Sequence, residues 1–384
     1  MAELNDLLRQ LVDLKGSDLH IKVGSPPIMR VDGELRHVGK ERLSAEAANK
    51  MIYDILDDKQ KKEFNTKHEF DFAYGVPGVA RFRVNLCVQR GTLRAVMRIV
   101  PFDVKSFQEL NLPEKSLVYL CSVNQGLVLI TGPTGSGKST TLASMISYIN
   151  NTRNAHIVTV EDPIEFLHRD NKCIISQREV GSDTDSFSNA LRHVLRQDPD
   201  VILIGEMRDL ETIGTALTAA ETGHLVFSTL HTSDAPQTID RIIDVFPPHQ
   251  QQQVRIQLAA CLRGIVCQKI MPLKTGAGRI PATEVLVATP LIRKMILDAA
   301  TPGEIFRQIL SAPEFLNMHT MNKALVHLYK EDKISMEAAM KASPNPDEFK
   351  LNLRGIYSGG TSDNMTETGG GSKGVPKYEG RYKK

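Results

Sequence analysis

Tryptophan is absent from the 384-residue chain and aromatic residues make up only 5% of it, which leaves little material for stacking nucleobases. Charge of one sign is lacking too: 47 Lys and Arg against 45 Asp and Glu give a net charge of +2, so no strong field gathers nucleic acid. No apolar run approaches the roughly 18 residues of a bilayer-spanning helix. The opening MAELNDLLRQLVDLKGSDLH mixes acids with bases where a secretory signal needs an uninterrupted apolar stretch. The five cysteines (Cys87, Cys121, Cys173, Cys261, Cys267) are scattered and never in CxxC spacing, which fits reduced thiols rather than disulfides or a zinc site. A soluble, cytoplasmic protein that does not bind nucleic acid is the expectation.

What is present is ordinary globular material, 41% apolar and 24% charged, in a chain long enough for two or three domains. Residues 1–100 read as a small α+β domain. Leu4, Leu7, Leu8 and Leu11 fall at helical spacing, and two short strands flank Asp32-Gly33, a dipeptide suited to a type I′ hairpin turn. A helix is expected from Ser44. Two longer strands then meet at Arg90-Gly91. In the first, Phe82, Val84, Leu86 and Val88 alternate with Arg81, Arg83, Asn85 and Gln89; in the second, Leu93, Ala95, Met97 and Ile99 alternate with Arg94 and Arg98. Period-two alternation gives each strand a buried and a wet face, so several arginines share one wet surface. Residues 101–113 read as a linker, with Pro113 in the first turn of the next helix.

From 114 to 357 the pattern becomes α/β, with the strands LVLIT, HIVTV, VILIG and LVFSTL separated by helical stretches, the signature of a parallel sheet. Residues 358–384 are rich in Gly, Ser and Thr and read as a disordered tail with a basic end.

Between LVLIT and a helix lies Gly132-Pro133-Thr134-Gly135-Ser136-Gly137-Lys138-Ser139-Thr140, a complete Walker A motif in the required strand-loop-helix setting. Glycines let backbone N–H groups turn inward onto phosphate oxygens, and the helix N-terminus adds partial positive charge. Lys138 is placed at the β/γ-phosphates and Ser139 at Mg²⁺. Hydrolysis also needs a group that activates water. HIVTV runs into Glu161-Asp162 and VILI into Gly205-Glu206, and strands of such a sheet aim their C-terminal ends at the ligand. Glu206 is therefore the candidate base, with Glu161 and Asp162 supporting Mg²⁺ through water. His224 and His231 bracket the strand LVFSTL, and an imidazole there is suited to sensing the γ-phosphate. The arginine face either solvates its strands or supplies arginine fingers to a neighbouring subunit's nucleotide.

These motifs, GPTGSGKST, IVTVEDPIEFLH, RQDPDVILIGEMRD and AAETGHLVFSTLHT, together resemble the secretion and pilus motor ATPases, and specifically the type IV pilus retraction (twitching motility) ATPases. GSDLHI and ARFRVN near the start are similar to that family's N-terminal PAS-like domain. The resemblance covers about residues 1–345. It implies a RecA-like ATPase domain in a homohexamer that binds ATP and Mg²⁺. It also implies docking on an inner-membrane pilus platform protein at the cytoplasmic face, peripheral to that membrane at most, with paralogous pilus ATPases as further partners. By the same resemblance the trans-acting arginines are Arg81, Arg83 and Arg98. The CxxC metal motifs and extra N-terminal domain of pilus-assembly and type II secretion relatives are missing, which favours retraction. Against the family's late motif Ala-Ile-Arg-Asn-Leu-Ile-Arg-Glu, the segment Leu291–Asp298 keeps only Ile292, Arg293 and Ile296. That leaves an accessory retraction ATPase as the alternative. Ile292 and Ile296 should pack inward and Arg293 and Lys294 outward. A nucleotide-binding scaffold and a nucleic-acid translocase are further readings, opposed by Lys138 with Glu206 and by the neutral charge.

Overall fold

The computed structural model describes residues 4–313 and 316–355; the stretch 358–384, expected to be disordered, lies outside them. Two sheets organise the chain. The first contains β1 (Asp18–Lys22), β2 (Ile28–Val31), β3 (Glu34–His37), β4 (Glu69–Val76), β5 (Ala80–Gln89) and β6 (Thr92–Val100), in the order β3-β2-β1-β6-β5-β4. One face is covered by apolar side chains. The helix Leu4–Asp13 buries Leu4, Leu7, Leu8 and Leu11, and these pack with Phe82, Val84, Leu86, Ala95 and Met97 in one core. The turns follow the expected chemistry: Asp32 and Gly33 have φ of 51° and 83°, and Arg90 and Gly91 have 52° and 74°, the paired positive angles of a type I′ turn. Ser44 caps the helix Ala45–Tyr53 by accepting the Ala47 N–H.

Val88 departs from the expected alternation and is 41% exposed. It sits beside the Arg90-Gly91 turn, at the end of the hairpin. β1 and β4 add two strands to those expected, and both alternate: Leu19 and Ile21 lie between Asp18, His20 and Lys22, and Phe70, Phe72, Tyr74 and Val76 between Glu69, Asp71, Ala73 and Gly75.

The second sheet holds β7 (Gly126–Thr131), β8 (His156–Glu161), β9 (Ile174–Glu179), β10 (Val201–Ile204), β11 (Leu225–Leu230), β12 (Leu262–Pro272) and β13 (Arg279–Val287). Its order is β13-β12-β7-β11-β10-β8-β9. Every neighbouring pair is parallel except β12 with β13. β7, β10 and β11 are buried along their whole length, which is why they read as mostly apolar runs without a wet face. The segment 101–113 lies along this core, with Phe107 and Leu112 buried in it, and Pro113 holds the N-cap of the helix Glu114–Ser122 rather than its first turn. Among the described residues no helix is long and apolar enough to cross a membrane.

A third core forms where the helices Met321–Lys330, Met336–Ala342 and Pro346–Leu353 pack on β12 and β13. Glu284 of β13 joins it to the rest. Its side chain is buried and accepts the Ala235 N–H at 2.8 Å and the Met321 N–H at 3.4 Å, so one carboxyl serves the first turns of two helices. Burial pushes its pKa up to about 7, helped by Asp234 and opposed by the two backbone donors. The folded state therefore holds this proton more tightly than the unfolded chain. The corresponding stability is present below about pH 4.5 and is lost as pH rises through about 7. Urea titrations from pH 4.5 to 8 should show Glu284→Gln declining less with pH than the parent; parallel declines would contradict this.

Candidate active site

The phosphate loop follows β7 and opens the helix Lys138–Thr152. Its shape is held from the side by β12. Gly132 has φ 142°, and a Cβ there would lie 2.3 Å from the Gln268 carbonyl oxygen. Gly137 has φ 88°, and a Cβ there would lie 2.9 Å from the Gln268 side-chain nitrogen. Both positions need glycine, for backbone angle and for space together. Gln268 is buried and accepts the Thr141 hydroxyl at 2.8 Å, locking loop, helix and strand. Nothing in the sequence pattern marks Gln268, which lies in an apolar strand beyond the recognisable motifs.

Lys138 donates to the carbonyls of Gly132 at 2.9 Å and Pro133 at 3.1 Å. Burial lowers its pKa, and the Glu206 charge works against that shift. Lys138, Ser139, Glu161, Asp162, Glu206 and His231 all line one cavity of about 930 Å³. The carboxylates come from adjacent parallel strands, because β8 and β10 pair in register up to Val160 and Ile204. His231 follows β11, and its Nε2 lies 3.1 Å from Glu206 Oε1. The Arg208 guanidinium binds the same oxygen. Arg208 falls inside the RQDPDVILIGEMRD motif but carries no signal of its own. Glu161 accepts the Thr159 hydroxyl at 2.7 Å and the Gln177 amide at 3.2 Å, and burial raises its pKa.

Arg83 and Arg98 line the same cavity, contributed by β5 and β6 of their own chain. The resemblance implies that these arginines act on a neighbouring subunit's nucleotide; within the single chain, Arg83 and Arg98 share a cavity with the phosphate loop. Arg81 is not in that wall. It is half-buried and pairs with Glu179 at 3.4 Å, a carboxylate that also accepts the Ile164 N–H at 3.3 Å beside the acidic segment.

His224 is not brought to the site either. Its carbonyl accepts the Gly126 N–H where β7 begins, and its Nδ1 is 2.9 Å from the Ala219 oxygen. That is the opposite end of the strands from the phosphate loop, because the sheet is parallel and His224 precedes β11 while His231 follows it.

In the segment Leu291–Asp298, Ile292 and Ile296 are buried as expected. Arg293 is less available than expected, because its Nε donates to the Ala288 carbonyl at 3.0 Å.

A glycine-rich loop between strand and helix, with a carboxylate and an imidazole at the ends of the neighbouring parallel strands, defines a P-loop ATPase of RecA-like type. The model of the family described as type II/IV secretion system protein matches residues 2–345, and the chain belongs to this family, in its PilT-type branch. It is 46% identical over 347 residues to the type IV pilus retraction ATPase PilT of Pseudomonas aeruginosa, covering 90% of this chain and 100% of the relative. To the type IV pilus ATPase PilU of the same organism it is 40% identical over 354 residues, covering 92% and 91%. A crystal structure of the pilus retraction motor PilT with bound ADP superposes with a TM-score of 0.81 at 46% identity, covering 91% of this chain and 99% of that one.

The bracing of the loop gives a direct expectation. Gly132→Ala should fold yet weaken ATP binding by at least about tenfold, or ~1.4 kcal/mol, in a fluorescent-nucleotide titration. Unchanged affinity would show that Gln268 yields to the added methyl.

Proposed function

We propose that this protein is the ATP-driven motor that retracts a type IV pilus. The observation that supports it most is the placement of Lys138, Glu206 and His231 in one cavity of a chain that matches a retraction ATPase over 90% of its length. ATP enters with its phosphates on the 132–140 loop. Lys138 exchanges the Gly132 and Pro133 carbonyls for phosphate oxygens, a trade favoured by the denser negative charge. Glu206 takes a proton from the attacking water through Oε2, while His231 and Arg208 hold Oε1.

The oxygen donors fit Mg²⁺. Ser139 is exposed to the cavity, and among the described residues no cluster of three or more His, Cys, Asp or Glu side chains is arranged to hold a metal by itself. That suits an ion carried mainly by phosphate and water. Ser139 would ligate it directly and Asp162 through water, and the ion would neutralise charge on the phosphates.

In this reading the chain works as a homohexamer at the cytoplasmic face of the inner membrane, docked on the pilus platform protein. Residues 1–100 form a PAS-like domain, 101–113 a linker and 114–357 the RecA-like ATPase with its C-terminal helices. An accessory retraction ATPase is the second reading, favoured by the exposed Leu297 in the divergent segment.

Complementation of a strain lacking every retraction ATPase tests the role. Wild-type protein should restore twitching, and Glu206→Gln should bind ATP normally but turn over ~10²-fold more slowly and fail to restore it. Normal hydrolysis without twitching would move the protein to the accessory role.

We further read Arg83 and Arg98 as serving the nucleotide of their own chain, since both line its cavity. Mixed rings of Arg98→Ala and Lys138→Ala subunits should then stay inactive, because each subunit carries one defect of its own site. Recovered hydrolysis in proven mixed rings would restore the trans assignment.

A further inference from the structure

The motif Gly16-Ser17-Asp18-Leu19-His20 has no role in the site as described, yet Asp18 is its most tightly held side chain. It is 3% exposed on β1, a location where a carboxylate persists only if it is well partnered. Three groups surround it. The Ser17 hydroxyl donates at 2.7 Å and Arg98 Nε donates at 2.8 Å, while Arg30 Nε lies 3.8 Å away.

The strand register produces this arrangement. Asp18 pairs with Arg30 on β2 and with Arg98 on β6, and Arg98 in turn pairs with Arg83 on β5. Four charged side chains therefore stand in one row across the sheet, with a single acid among three arginines. Without that acid the row would be a line of like charges at cross-strand spacing, which repel.

The bond is selective in how it holds Arg98. Asp18 engages only the Nε–H, while the Arg98 side chain as a whole remains 71% exposed. A guanidinium carries five N–H donors in a planar fork, so the terminal nitrogens stay available on the cavity wall. A free arginine loses considerable rotamer entropy when it binds an anion; one already fixed at its Nε loses less. Burial alone would raise the Asp18 pKa, but the Ser17 and Arg98 hydrogen bonds outweigh it and hold the carboxyl below its usual range. The acid therefore stays charged.

We propose that Asp18 is a positioning residue for catalysis, which holds Arg98 in the cavity wall with its terminal nitrogens turned to the nucleotide phosphates. This rests on the reading that Arg98 serves bound ATP, and the test separates the two. Steady-state hydrolysis of ATP with Mg²⁺ is measured on the full chain for wild type, Asp18→Asn, Arg98→Ala and the double variant. Asn is isosteric and keeps the Ser17 contact, so the fold should survive. Asp18→Asn should lower kcat by about tenfold, the scale of losing one oriented partner, with little change in KM. The double variant should be no slower than Arg98→Ala, because without Arg98 there is nothing left to hold.

Four results would overturn the proposal. An unchanged kcat in Asp18→Asn beside a slow Arg98→Ala would remove Asp18 from the mechanism and leave Arg98 in it. A faster Asp18→Asn would mean that the acid restrains Arg98. A double variant slower than Arg98→Ala by the full Asp18→Asn factor would mean that Asp18 acts through the fold. A wild-type rate in Arg98→Ala would sink the underlying reading itself. Should Asp18→Asn fail to fold by circular dichroism, Ser17→Ala removes a bond from the same carboxylate: a smaller, Arg98-dependent slowing supports the proposal and an unchanged rate overturns it.

Discussion

The site depends on one steric contact, that of the Gln268 backbone and side chain against Gly132 and Gly137. A phosphate loop must present backbone N–H groups without a side chain in the way, and glycine makes such a loop floppy unless something outside holds it. β12 does this, lying parallel beside β7 so that Gln268 faces the loop. Its amide oxygen also takes the Thr141 hydroxyl, so the first turn of the helix is fixed by the same residue. With loop and helix set, β8, β10 and β11 bring their carboxylates and imidazole to the same edge.

The first sheet supplies the opposite wall of the cavity. Its apolar face is an ordinary core, but its wet face carries arginines in register with one buried acid. That sheet meets the ATPase core through Arg81 and Glu179, and Glu179 also holds the backbone at Ile164. Arg81 is thus part of the mounting, while Arg83 and Arg98 face the cavity. Three arginines on one strand pair therefore have different tasks, decided by which way the sheet is turned against its neighbour.

The sequence made the P-loop, Glu206 and His231 legible because their positions are set by local rules: a strand, a turn of glycines, a helix, and polar residues where apolar runs stop. In the second sheet the four strands legible from the sequence, β7, β8, β10 and β11, are short and mostly apolar and are bounded by polar or glycine residues. β9 was missed because Ile174–Glu179 is mostly polar and only half-buried. β12 and β13 were missed as strands because nothing in Leu262–Val287 alternates cleanly. Gln268, Arg208 and Asp18 escaped for a different reason: their importance lies in what faces them across the sheet or the cavity, which spacing along the chain does not encode. His224 lies far from the phosphate loop because a parallel sheet separates the residues before and after a strand by its full length.

Glu284 gives the molecule a mechanical property that composition alone would not suggest. The loop after His231 runs directly into the helix that starts at Ala235, and the Ala235 amide is held by the same carboxyl that holds Met321. The loop that follows His231 and the helix that starts at Met321 are thus held by one buried side chain. Moving either element away from Glu284 leaves a buried carboxyl short of a donor, a cost that is greatest when the carboxyl is charged.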